Sequence, residues 1–235
     1  MALALLAVLA AASCGGGGGG ETTTREPAAT TTATEPAPPC GEAGTKQVTL
    51  RAADRSEFDA ALVGDGDVGV VLGHQFRSDF CSWLPYGKRL AGQGMRVLAV
   101  NFPATERLNV YMQAGALELR RLGAKRIVLV GASMGGTAAL VAAPRVEGLV
   151  GVASLSGPRQ FQGLDARPAV AKTRVPLLFL VGGDDRTFAK DARALYKAAK
   201  SPKKKIVITS GFEHGTDLLQ DPKADRALAN FLGGL

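Results

Sequence analysis

The feature that most constrains the fold is a series of short, dense apolar runs rich in Val, Leu and Ile. They cover residues 67–74, 95–101, 126–132, 148–156, 176–183 and 204–210. Runs that are apolar at nearly every position are typical of strands buried on both faces, as in a parallel sheet. Residues 46–52 instead alternate polar and apolar side chains, which predicts a half-exposed edge strand.

Segments of helical character lie between these runs. They cover residues 84–93, 105–122, 133–143, 187–200 and 222–232. In the second of them, apolar residues recur at spacings of three and four, and Gly123 follows as a C-terminal stop. Strands that alternate with helices of this length predict right-handed crossovers and a layered α/β fold.

The composition is that of a single globular domain of ordinary size. The chain has 235 residues, of which 46% are apolar and 21% charged, and its formal net charge is +7. The densest basic cluster, Lys203 to Lys205, leads directly into an apolar strand and is interpreted as a solvated strand entry. No nucleic-acid partner is therefore expected.

The N-terminal region differs in composition from the rest of the chain. Residues 1–13 are apolar but too short to span a bilayer, which is typical of a secretory signal peptide. Residues 14–45 are almost all Gly, Thr, Pro, Ala and Glu, and they predict a disordered tether. The folded domain is expected over residues 46–235.

The end of the apolar segment, Ala11 to Cys14, resembles the lipobox of bacterial lipoproteins. This resemblance implies that Cys14 is acylated and that the exported protein is anchored to the outer face of the cell membrane. The alternatives are a plain cleaved signal, which would give a secreted protein, and a disordered apolar tail. The remaining pair, Cys40 and Cys81, predicts a disulfide in an exported chain, the alternative being two unrelated thiols.

A single serine stands where the strand at 126–132 must become a helix. Gly131 and Gly135 flank Ser133 in the pattern G-x-S-x-G. Such a turn brings the two flanking positions face to face without room for a β-carbon, exposes the hydroxyl and leaves the Met134 N–H unpaired. The alternative is a glycine-rich turn that serves only close packing.

A serine nucleophile needs a base, and an imidazole base needs a carboxylate to fix its tautomer. The chain has two histidines: His214 follows the last strand and His74 follows the strand at 67–74. Asp184 and Asp185 follow the second-last strand. A serine, an aspartate and His214, in this chain order and each after its own strand, have the order of an α/β-hydrolase triad.

On these residues the chain resembles the α/β-hydrolase fold family, in particular compact serine esterases and dienelactone-hydrolase-like enzymes. Over residues 46–235 the resemblance implies a mostly parallel central sheet of about seven to eight strands, flanked by helices and without a substantial lid. Ser133 would be the nucleophile, His214 the base and Asp185 the acid, because the acid commonly ends a G-x-x-D stretch, here Gly182 to Asp185. The other aspartate would serve a surface turn or a helix cap.

The resemblance also implies an oxyanion hole made by the N–H groups of Met134 and Phe76. The family's loop usually reads His-Gly-x, whereas this chain has His74-Gln75-Phe76, so Gln75 is a departure. His74 would shape the loop. Dienelactone hydrolases proper use a cysteine nucleophile, so their substrate is not expected for Ser133.

The expected activity is that of an exported serine hydrolase, a carboxylesterase for small-molecule or polymer-attached acyl esters. No cofactor or metal is expected, because two histidines and scattered acidic residues do not form a typical set of metal ligands. The alternatives are an inactive tethered binding or structural module on the same fold, and an acyltransferase or peptidase with the same triad. Phe76, Phe161 and Phe188 are candidates to line a pocket or to belong to the core.

Overall fold

The computed structural model describes residues 39–103 and 106–235 and contains a sheet of eight strands. In the order in which they lie across the sheet, these are β1 (Lys46–Arg51), β2 (Glu57–Val63), β4 (Met95–Val100), β3 (Val68–Gly73), β5 (Arg126–Ala132), β6 (Leu149–Leu155), β9 (Leu177–Gly182) and β10 (Lys204–Thr209). β2 pairs antiparallel with both β1 and β4, and all other neighbouring strands of this sheet are parallel. The predicted α/β-hydrolase fold with a mostly parallel sheet is confirmed.

Six helices cover the two faces of the sheet. They are α1 (Leu84–Gly92), α2 (Leu108–Arg121), α3 (Met134–Ala142), α4 (Ala166–Lys172), α5 (Arg186–Ala198) and α6 (Pro222–Gly233). Helices α1 and α6 bury their apolar sides against one face, and α2 to α5 bury theirs against the other. The central strands are therefore shielded from water on both sides, which explains their continuous apolar sequences. In β9, for example, every residue is buried.

Two parts of the fold differ from the sequence-based expectation. Strand β2 was not predicted, because its sequence EFDAALV contains an aspartate and two alanines, which are depleted in strands. Residues 157–175 were expected only to lack a substantial lid, and no helix or strand was predicted within them. They form a small hairpin, β7 (Gln160–Phe161) with β8 (Leu164–Asp165), followed by α4, which packs between α3 and α5 as part of the scaffold.

The last residues of the predicted tether contact the folded domain. A disulfide joins Cys40 to Cys81, whose Cα atoms lie 5.7 Å apart, and the Lys88 ammonium lies 2.8 Å from a carboxylate oxygen of Glu42. The predicted signal peptide at 1–13, the lipidation site at Cys14 and the tether up to residue 38 lie outside the described residues. None of the helices in the described part of the chain is long and apolar enough to cross a bilayer.

We predict that the Cys40–Cys81 disulfide stabilises the domain. It closes a loop with a sequence separation of 41 residues, and the chain-entropy argument gives about 4 kcal/mol for such a constraint. Urea unfolding of the wild type with and without reductant should show a loss of this size. The Cys40→Ser/Cys81→Ser variant should match the reduced wild type and should not respond to reductant; a wild type with both thiols free would contradict the prediction.

Candidate active site

The turn between β5 and α3 presents Ser133 in a strained backbone conformation. Its φ of 49° and ψ of −117° are unusual for a residue with a side chain. A Cβ on Gly131 would overlap the backbone of Gly135, and a Cβ on Gly135 would overlap the carbonyl of Gly73 at the end of β3. Both glycines are therefore required for steric reasons, as the sequence pattern predicts.

Backbone hydrogen bonds fix the turn from both sides. The Ser133 N–H donates to the carbonyl oxygen of Leu155 at 2.7 Å, and the Ser133 carbonyl accepts from the Thr137 N–H at 3.1 Å. The relative solvent exposure of Ser133 is only 8%, so its side chain is less exposed than the sequence pattern predicts. The reason is that the ends of β3 and β6 contact the same turn.

His214 and Asp185 meet at the same edge of the sheet. His214 Nδ1 lies 2.6 Å from Asp185 Oδ2, and the two side chains are 32% and 15% exposed. The Asp184 N–H donates to the Gly211 carbonyl oxygen at 2.9 Å, which ties the loop after β9 to the loop after β10. The histidine thus pairs with Asp185, while the side chain of Asp184 is exposed.

The partner of His214 determines its tautomer. An ionised carboxylate can only accept a hydrogen bond, so Nδ1 carries the hydrogen and Nε2 keeps its lone pair. The Phe188 ring packs edge-on against the imidazole with the ring centroids 4.3 Å apart, which further fixes its plane. Asp185 also stands at the N-cap position of α5, but its carboxylate bonds to His214 and makes no side-chain cap.

The loop that carries His214 runs against the end of β5. A Cβ built on Gly215 would lie 3.5 Å from the Cβ of Ala132, the residue before Ser133. The next residue, Thr216, donates its backbone N–H to Gln75 Oε1 at 2.8 Å. Loops after β3, β5, β9 and β10 therefore meet at the carboxyl ends of their strands, the usual location of sites in such sheets.

The two predicted oxyanion donors occupy the expected elements. Met134 is the first residue of α3, where a helix leaves its N–H groups without an intrahelical partner. Phe76 lies in the loop after β3, and in the described part of the chain neither of these N–H groups donates to a backbone carbonyl. The oxyanion role of both groups remains a prediction, in which each N–H donates a hydrogen bond to the developing negative charge.

His74 shapes the loop after β3 through both ring nitrogens. Nδ1 lies 2.8 Å from the Gln75 carbonyl oxygen, so it carries the hydrogen, and Nε2 accepts from the Phe102 N–H at 3.0 Å. The ring is 2% exposed. Burial lowers the pKa of His74 below its ordinary value, although the Gln75 carbonyl, the Asp79 carboxylate and the Asn101 side chain oppose this shift. The neutral ring is therefore a structural element of the loop.

The sequence left open whether Phe76, Phe161 and Phe188 line a pocket or belong to the core. Phe161 and Phe188 are partly buried and pack against core clusters. Phe76 is 52% exposed, and its ring centroid is 6.4 Å from that of Phe161. The contact of Gln75 with Thr216 carried no sequence signal, because 141 residues separate them. Among the described residues, no three His, Cys, Asp or Glu side chains cluster as metal ligands.

We predict that protonation of His74 destabilises the fold. Because the folded-state pKa lies below the unfolded value near 6.5, stability is fully present above that pH and declines as the pH falls toward the folded pKa. Urea unfolding of the wild type should therefore show a loss between pH 8 and pH 5. The His74→Gln variant should be less stable at pH 8 but lose less on acidification; an equal loss in both proteins would contradict the prediction.

Comparisons with known proteins show the same fold. Solved structures with the same fold include the esterase domain of a Rhodothermus marinus protein (TM-score 0.65, 20% identity, 81% of this chain and 96% of that one) and a Pyrococcus furiosus esterase (TM-score 0.69, 18% identity, 80% and 91%). A dienelactone hydrolase from Anabaena variabilis has a TM-score of 0.64 and 21% identity, over 81% of this chain and 96% of that one.

A search of curated proteins gave no match. The model of the dienelactone hydrolase family matches residues 91–227, which is more than half of the chain and includes the elements that carry Ser133, Asp185 and His214. The chain therefore belongs to the dienelactone hydrolase family of α/β-hydrolases.

Proposed function

We propose that this chain is a carboxylesterase that acts through a covalent acyl-enzyme on Ser133. The observation that carries the proposal is the 2.6 Å hydrogen bond between His214 and Asp185, beside the strained turn that holds Ser133. A carboxylate that fixes the imidazole tautomer, together with a serine at the end of a neighbouring strand, supports nucleophilic acyl transfer. The fold alone would not decide between this and other chemistries.

The reaction proceeds in two steps. Ser133 Oγ attacks the ester carbonyl while His214 Nε2 takes the hydroxyl proton, and Asp185 stabilises the imidazolium that forms. The tetrahedral oxyanion accepts hydrogen bonds from the N–H groups of Met134 and Phe76, each of which lowers the barrier by about 3 kcal/mol. His214 then protonates the leaving alcohol, and a water activated by the same nitrogen releases the acid.

The surroundings support an ester substrate with an accessible acyl group, either a small molecule or a group attached to a polymer. His214 is one-third exposed, and the half-exposed Phe76 lies beside the site with Phe161 as its neighbour. These rings offer apolar surface to the acyl or alcohol part of a substrate. The loop after β6 leads into the short hairpin β7–β8 and then into α4.

We also propose that the protein is exported and anchored to the outer face of the membrane by a lipid on Cys14. The proposal is supported by the apolar segment that ends in Ala11 to Cys14 and by the low-complexity residues that follow. The Cys40–Cys81 disulfide supports it independently, because disulfides persist mainly in oxidising compartments. The partners would then be the lipid bilayer and the ester substrate.

We predict that Ser133→Ala abolishes labelling by a fluorophosphonate probe and hydrolysis of p-nitrophenyl esters. The adjacent aspartates provide a matched pair: Asp185→Asn should lower kcat by about 10³-fold or more, because the imidazole loses its fixed tautomer. Asp184→Asn, which changes the same charge one residue away, should retain nearly full activity. A series of p-nitrophenyl esters of increasing chain length would then define the acyl preference.

Different results would contradict specific parts of the proposal. Labelling that survives in Ser133→Ala would remove this residue as the nucleophile. A wild type that neither labels nor hydrolyses any ester would favour an inactive binding module on the same fold. Faster turnover with amides, or product transfer to an added alcohol in place of water, would instead identify a peptidase or an acyltransferase.

We predict that Cys14 carries the lipid when the full chain is expressed in a bacterium. A clickable fatty-acid analogue should label the wild type but not the Cys14→Ser variant. The labelled wild type should fractionate with membranes, and no labelled protein should appear in the medium. The Cys14→Ser variant keeps the tether and the disulfide, so its loss of label would be specific. Secretion of unlabelled wild type would indicate a plain cleaved signal.

A further inference from the structure

We infer that Gln75 is a positioning residue that connects the oxyanion loop to the loop of the catalytic base; this rests on the proposed function. Gln75 stands where the family's loop usually has glycine. Its side chain reaches from the loop after β3 to the loop after β10. This contact joins two loops that the proposed reaction requires in a fixed relation to each other.

The contact consists of two hydrogen bonds to one oxygen. Gln75 Oε1 accepts from the Thr216 N–H at 2.8 Å and from the Thr216 hydroxyl at 3.1 Å. The backbone N–H of Thr216 lies in the first turn of a short 3₁₀ helix that begins at Gly215, where helical N–H groups lack internal partners. A glycine at position 75 would leave this N–H without its acceptor.

The absence of a side chain at Gly215 leaves space for the Gln75 amide. Its φ is +62°, a left-handed conformation that favours glycine, and a Cβ at this position would overlap Gln75 Oε1. Gly215 is itself buried against Ala132 at the end of β5. The backbone conformation at Gly215 and the amide at Gln75 therefore fit one another directly beside the turn of Ser133.

The position of Gln75 gives this contact a consequence for catalysis. The next residue along one loop is Phe76, the predicted second oxyanion donor, and the residue before Gly215 on the other loop is His214. Asp185 restrains the His214 imidazole through a hydrogen bond at Nδ1. The Gln75–Thr216 contact restrains the backbone of the same loop two residues after His214. Small displacements of either group would act mainly on the transition state, since both serve steps of bond making and breaking.

The test compares Gln75→Met, which keeps the length of the side chain but removes the acceptor, with Thr216→Val, which removes only the hydroxyl donor. We expect Gln75→Met to lower kcat by about 10-fold with little change in KM, and Thr216→Val to lower it by about 2- to 3-fold. The double variant should fall no further than Gln75→Met, because both changes remove the same contact. Gln47→Met, the same substitution on the exposed strand β1, is the matched control and should leave kcat unchanged.

A second measurement detects the contact itself. Hydrogen exchange of the Thr216 amide should be faster in Gln75→Met than in the wild type and unchanged in Gln47→Met. An active wild type whose kcat is unaffected by Gln75→Met, or whose losses are additive in the double variant, would overturn the positioning role while leaving the proposed function intact. An inactive wild type would overturn the proposed function and, with it, this role. An unchanged exchange rate would show that the contact does not hold the loop.

Discussion

The sharp turn between β5 and α3 is possible only because the backbones of Gly131 and Gly135 touch without a β-carbon between them. The same approach brings Gly135 against the carbonyl of Gly73, so the turn also fixes the distance between β5 and the end of β3. A methyl group at either glycine would separate these segments. The strained conformation of Ser133 and the placement of the neighbouring loop are therefore two consequences of one steric constraint.

The parallel sheet extends this constraint to the other strands. Parallel pairing of β5 with β6, β6 with β9 and β9 with β10 aligns their carboxyl ends, so that side chains far apart in sequence share one edge. His214 and Asp185 meet there across adjacent strands. The burial of these strands on both faces supplies a scaffold stable enough to maintain an unfavourable backbone conformation at Ser133.

The sequence predicted the parts of this structure that depend on local pattern. The dense apolar runs correspond to five inner strands and to the edge strand β10, and the G-x-S-x-G pattern correctly identified the strained turn, since these features follow largely from local sterics and burial. Strand β2 was not predicted because its place in the sheet depends on pairing with β1 and β4. Its own sequence gives little indication of that pairing. The same limit applied to Gln75, which from its position alone was only a departure from the family's glycine, while its hydrogen-bond partner lies 141 residues away.

The departure at Gln75 changes how the loop after β3 is held in place. Two of its polar side chains bond within the protein: both nitrogens of the His74 ring bond to backbone groups, and the Gln75 amide oxygen accepts twice from Thr216. Burial lowers the pKa of His74, so the loop carries no imidazolium charge near neutral pH. A glycine loop gains its shape from backbone freedom, whereas this loop gains it from satisfied hydrogen bonds. The Phe76 N–H, the predicted second oxyanion donor, therefore belongs to a segment whose shape these hydrogen bonds hold.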